Sequence, residues 1–158
     1  MFLMAKGKTK DYDATAEIRG NTEYENINGK VYFKQTKDGT LVTAIIYGLP
    51  TSEIDCQNRF FGFHIHEGKD CTGNENDEFA NVMSHYNPKK CMHPHHAGDL
   101  PPLLENNGNA YMVVLSNRIE VKDIIGKTIV IHDKPDDFVT QPSGNSGTKI
   151  ACGEIKKV

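Results

Sequence analysis

The chain lacks the marks of several large functional classes. Its 18 lysines and arginines are set against 21 aspartates and glutamates, a formal net charge of −3. No basic stripe runs along any segment, which argues against nucleic acid as a partner. No apolar run approaches the roughly 18 residues that a membrane-spanning helix needs. The N-terminus, Met1-Phe2-Leu3-Met4 and then Ala5-Lys6-Gly7-Lys8, turns polar too soon to read as a secretory signal. A cytoplasmic location is therefore expected, or a secreted or periplasmic one if a leader preceded this chain. There are no internal repeats and no low-complexity linker. Helical periodicity is absent beyond one turn near Val121-Lys122-Asp123-Ile124. One domain over residues 13–158 is expected, after an N-terminal tail of residues 1–12.

What is there is mostly period-two alternation and β-branched runs, which predict strands. They cover Asp13 to Arg19, Lys30 to Gln35, Leu41 to Tyr47, Phe60 to His66, Asn109 to Leu115, Thr128 to His132 and Ile150 to Ile155. The Asp38-Gly39 pair between the second and third is a hairpin signal. Several short strands at regular spacing point to an all-β antiparallel sandwich or barrel. Two long polar segments break the rhythm, residues 67–108 and 133–149. Long ordered loops are uncommon and usually functional.

All seven histidines lie after residue 63. They fall in Phe63-His64-Ile65-His66-Glu67, Ser84-His85-Tyr86-Asn87-Pro88, His93-Pro94-His95-His96-Ala97-Gly98-Asp99 and Ile131-His132. Imidazole is a favoured ligand for copper and zinc. His64 and His66 stand two apart on a predicted strand, so both leave the same face and one ion can take both. Two polar residues on a solvated face is the plain alternative, weakened by the other histidines.

Together with the tail Gly144-Asn145-Ser146-Gly147-Thr148-Lys149-Ile150-Ala151-Cys152-Gly153, these motifs resemble the copper,zinc superoxide dismutase family, bacterial type. The resemblance is collinear and spans about residues 13–156. It implies a Greek-key β-barrel with a metal-binding loop and an electrostatic loop. It implies copper on His64, His66, His85 and His132, and zinc on His85, His93, His96 and Asp99, with His85 bridging. It further implies an antioxidant oxidoreductase that converts superoxide to dioxygen and hydrogen peroxide by Cu(II)/Cu(I) cycling, with His85 also carrying a proton. Asp136 corresponds to the carboxylate that links a copper-side to a zinc-side histidine. Cys71 and Cys152 correspond to the family's disulfide. The partner is the superoxide anion, and the assembly a monomer or homodimer.

The match departs in places. Lys149 stands where the family usually has an arginine that docks the anion. It keeps the charge but loses the planar fork, so reduced turnover is expected. Met83-Ser84 replaces a commonly glycine-containing pair. His95 could replace His93 as zinc ligand, although family spacing favours His93. Ser143 is expected beside the channel or in a plain turn, Lys134 as a steering charge or a solvated lysine, and Cys56 and Cys91 as free thiols. A second function stays open, a copper-binding or copper-delivering domain of the same fold with little or no dismutase activity.

Overall fold

A computed structural model describes residues 11–54 and 56–158. Most of the N-terminal tail thus lies outside the described residues. Strands β1 (Ala14–Gly20), β2 (Asn28–Thr36) and β3 (Gly39–Tyr47) are followed by the short β4 (Phe60–Phe61) and by β5 (Phe63–His66). A 3-10 turn (Ala80–Val82), β6 (Leu103–Leu104), β7 (Ala110–Ser116), the single-turn α1 (Val121–Ile124), β8 (Thr128–His132) and β9 (Lys149–Lys157) complete the chain. The seven-stranded sheet has the order β5-β8-β9-β1-β2-β3-β7, and β4 pairs with β6 in a small second ladder. All pairings are antiparallel. The result is an antiparallel half-barrel, in which β3 and β7 are neighbours across a long connection.

Alternation decides the inner face. Ala14, Ala16, Ile18, Val31, Phe33, Val42, Ala44 and Ile46 are fully buried, and they join Phe63, Ile65, Ile129 and Ile131 in one core. Burying a side chain of this size contributes roughly 1.5–3 kcal/mol. The predicted strand Phe60 to His66 is cut in two at Gly62, whose N–H donates to Lys134 O at 2.8 Å. The period-two pattern continues through the break, which is why the sequence reads as one strand.

β5 and β8 differ from the others because both faces are buried. Phe63 and Ile65 fill the core, so His64 and His66 must point outward, under the first long loop. That loop covers the free edge of β5. Ile65 N donates to Gly98 O (2.9 Å), Tyr86 N to Ile65 O (2.8 Å) and Glu67 N to Ser84 O (2.9 Å). A Cβ on Gly98 would collide with Ile65 O, so glycine is what lets the loop come this close. Cys71 and Cys152 form a disulfide that spans 81 residues and ties the loop to β9. Phe79, Val82 and Val130 pack around it in a second small apolar cluster. Cys56 and Cys91 are free and exposed.

Candidate metal centre

The outward faces of β5 and β8 present His64, His66 and His132, and the first long loop brings His85 to them. An isolated bridge pairs His66 with His85, and another pairs His64 with Asp99. His93, His96 and Asp99 come from the same loop a little further on. The side chains fall into two groups that share His85: His64, His66, His85 and His132, and then His85, His93, His96 and Asp99. Within each group the donor atoms lie within 4.8 Å of one another, and all seven residues are buried.

Hydrogen bonds decide which ring nitrogen is left over. His66 Nδ1 donates to Met83 O at 2.8 Å, and His132 Nδ1 to Gly147 O at 3.4 Å. Their Nε2 lone pairs then face each other at 3.3 Å, a repulsive contact unless a cation sits between them. His64 Nε2 donates to Asp136 Oδ2 at 2.7 Å, which leaves Nδ1 buried without a partner. His85 Nδ1 lies 2.7 Å from Asp99 Oδ1, while its Nε2 is buried without a partner. His93 Nε2 donates to Asp136 Oδ1 at 2.8 Å. Its partnerless Nδ1 lies 3.0 Å from Asp99 Oδ2, acceptor against acceptor. Buried groups left this way are costly, and they cluster where an ion is meant to be. Four imidazoles suit copper, and three imidazoles with one carboxylate suit zinc. The two histidine-rich groups can hold both ions.

The electrostatics agree with neutral rings. Burial lowers His132 to about 3, helped by the nearby His64 and His85. Burial also lowers His66 well below the usual imidazole value, and His64 and His96 less far. Burial raises Asp136, but the His64 hydrogen bond, the Phe138 N–H and His93 outweigh it and hold the carboxyl at about 2. Burial likewise opposes ionisation of Asp99, and the hydrogen bond from His85 leads the interactions that lower it overall. Neutral imidazoles, each with one nitrogen lone pair, beside ionised carboxylates are the state that a metal requires.

A pocket of about 420 Å³ opens onto the first group, lined among others by His66, His85, His132, Ser143 and Lys149. Lys149 Nζ does not hang free in it. The ammonium pairs with the Asp77 carboxylate and donates to Phe79 O at 3.2 Å. Ser143 therefore lies at the channel, whereas Lys134 lines a separate hollow with Arg59 and Asp133. His95 is exposed and outside both groups. Asp137 is exposed and caps its own turn through Val139 N and Thr140 N.

Sequence reasoning missed several supports. Gln141 brackets His93, since Nε2 donates to His93 O at 2.7 Å and Oε1 accepts His93 N–H at 3.0 Å. Arg118 donates to Pro94 O, His96 O and Asp99 O, holding three carbonyls of the segment that carries His93, His96 and Asp99. Glu67 accepts from Lys127 Nζ at 2.7 Å and from Asn87 N at 3.2 Å, pinning the turn after His85. Gly144 lies against Asp136, where a Cβ would strike the carboxylate and sit 2.6 Å from His93 Nε2. Only His-x-His-Glu carried a local signal for any of these, through Glu67.

A family model described as copper/zinc superoxide dismutase (SODC) matches residues 27–155. The chain belongs to the copper/zinc superoxide dismutase family. It is 34% identical over 171 aligned positions to "Superoxide dismutase [Cu-Zn] 2" of Aquifex aeolicus (strain VF5), covering 99% of this chain and 94% of the relative. It is 35% identical to "Superoxide dismutase [Cu-Zn]" of Legionella pneumophila, covering 91% and 87%. Among solved structures, a double mutant of a SOD-like protein from Bacillus subtilis superposes with a TM-score of 0.74 at 29% identity, covering 89% and 95%. The half-barrel, the Cys71–Cys152 disulfide and the histidine groups fit a copper/zinc superoxide dismutase-family protein with copper and zinc as cofactors.

Proposed function

We propose that this chain is a working superoxide dismutase, with copper on His64, His66, His85 and His132 and zinc on His85, His93, His96 and Asp99. The observation that carries this is the facing pair of His66 and His132 Nε2 atoms at 3.3 Å beside the partnerless His64 Nδ1 and His85 Nε2. Bound copper would supply one-electron chemistry through its Cu(II) and Cu(I) states, for a net reaction in which two superoxide anions and two protons, one of them from solvent, give dioxygen and hydrogen peroxide. His85 belongs to both donor groups and lines the pocket, and the nitrogen it leaves without a partner is Nε2. It is the atom placed to hold a proton and deliver it to the reduced product. Asp136 fixes the His64 and His93 rings through their Nε2 atoms, so both keep Nδ1 free as a ligand. Lys149 supplies the positive charge that draws the anion towards His132. Thiols in the cytosol are mostly kept reduced, so the disulfide fits an oxidising compartment.

The second reading, a copper-binding or copper-delivering domain, is favoured by one observation. Lys149 is engaged by Asp77 and lacks the fork that would orient a diatomic anion. The deciding measurement is superoxide decay catalysed by protein loaded with copper and zinc, beside the zinc-only form. Copper-dependent activity that disappears in His64→Ala is expected. Full copper loading with no activity would leave copper binding as the function.

A further inference from the structure

Lys149 stands between two hollows of opposite character. One is the pocket over the first histidine group, where Lys149 is the lysine or arginine among the described lining residues. The other, about 460 Å³, is lined by Glu23, Glu75, Asp77 and Glu78 together with Lys149. The ammonium is drawn to the second, where it pairs with Asp77 and reaches Phe79 O. We propose that Asp77 competes with the substrate anion for Lys149, and so sets how tightly this pocket takes small anions. The proposal deepens the dismutase reading and rests on it for the identity of the anion.

Asp77 is held ready for this part. Its Oδ1 accepts the Phe79 N–H at 3.0 Å, which leaves Oδ2 for the lysine. Its N–H donates to Asn74 Oδ1 at 3.2 Å, and its carbonyl accepts from Asn74 N at 2.9 Å. The loop carrying it is fastened to β9 by Cys71–Cys152, three residues from Lys149. Both side chains keep access to solvent, 19% for Lys149 and 39% for Asp77. An ion pair so exposed contributes little to stability. Its effect on a diffusing anion is larger, because a single carboxylate cancels the field of a single ammonium near the pocket mouth. A lysine stem is flexible enough to serve either hollow. An anion that enters must take the ammonium from Asp77.

The test uses the full chain loaded with copper and zinc, and azide as the anion, titrated through its absorption on copper. Asp77→Asn keeps the oxygen that accepts the Phe79 N–H, so the loop should keep its fold. Its azide Kd is expected to fall roughly threefold or more at low ionic strength. The control Glu75→Gln, which removes an exposed charge of the same loop, should change Kd far less. In a Lys149→Met background the Asp77→Asn effect should vanish. In the metal-free protein, trace acetylation of the Lys149 amine, read by peptide mass spectrometry, should quicken in Asp77→Asn. Unchanged or weaker azide binding in Asp77→Asn, or an effect that survives Lys149→Met, overturns the proposal. Wild-type protein that binds copper and azide but does not dismutate refutes the activity, while the Kd comparison still decides Asp77. A chain that takes up no copper overturns both.

Discussion

His132 and Lys149 stand opposite each other across the β8–β9 ladder. A regular ladder that pairs Ile131 with Ala151 would set His132 against Ile150, but the register shifts after Ile131 and brings Lys149 there instead. Such irregularities re-aim side chains next to active sites. Here the shift puts a cation beside the histidine that closes the first donor group, and the charge of Lys149 also helps keep His132 neutral.

Because that cation is an ammonium, it holds an anion at a point and does not orient it. Lys149→Arg is expected to raise kcat/KM for superoxide roughly tenfold, the lower range for regaining a charge-assisted two-point contact. Lys149→Met should lower it by a similar factor and flatten its dependence on ionic strength. Equal rates for wild type and Lys149→Arg, measured by decay of pulse-generated superoxide, would remove Lys149 from the anion's path.

Much of this was legible in the residues. Period-two alternation marked the long strands to within about two residues at each end, and α1 falls on the one turn of helical periodicity. β6 was not legible. Two residues, Leu103 and Leu104, carry no alternation, and they become a strand only because β4 lies alongside. Gly62 interrupts the strand through its hydrogen bond to Lys134, in a loop far along the chain, which no local pattern records. The ligand candidates stood out because histidine is scarce and all seven cluster. Asp77, Gln141 and Arg118 are common polar residues in polar loops. Their parts depend on what the folded loops place beside them, so the sequence offered no signal.

Acid should weaken the metal-free fold. His132 is depressed to about 3 in the folded chain, against the ordinary imidazole value of 6.5. Below pH 6.5 the unfolded chain therefore binds a proton that the folded chain refuses, and stability falls with pH down to about 3. His66 and His64 are depressed as well and act in the same direction. Calorimetry of the metal-free protein at pH 7.5 and pH 5 should show a Tm lower by several degrees at the acid end. A flat Tm across that interval would mean that the histidines are already protonated or open to water.

The disulfide should matter more to folding than any single core side chain. Closing a loop of 81 residues removes unfolded-state entropy worth about 4–5 kcal/mol in the chain-entropy model. Cys71→Ser is expected to lower Tm by about 10 °C or more on that basis. It should also loosen Phe79 and Val82, which pack around the bridge. Denaturant unfolding of wild type and Cys71→Ser checks this, and coincident midpoints would sink it.

Asp136 joins the two donor groups, and its replacement separates its roles. One carboxylate oxygen accepts from His64 Nε2 and the other from His93 Nε2. Each bond keeps the ring proton on Nε2 and the lone pair on Nδ1, the nitrogen that faces the remaining donors. In Asp136→Ala both rings lose the acceptor that holds their proton on Nε2. Either ring can then carry its proton on Nδ1, where it blocks the lone pair. Asp136→Ala should therefore weaken copper and zinc binding together, by about 10- to 100-fold. His64→Ala should weaken copper alone, because His64 belongs to one group and not the other. Competitive chelator titrations for each metal, run on both variants, read the difference. Loss of only one metal in Asp136→Ala would show that the other ring keeps its tautomer without the carboxylate, and that the link between the groups is spatial and not chemical.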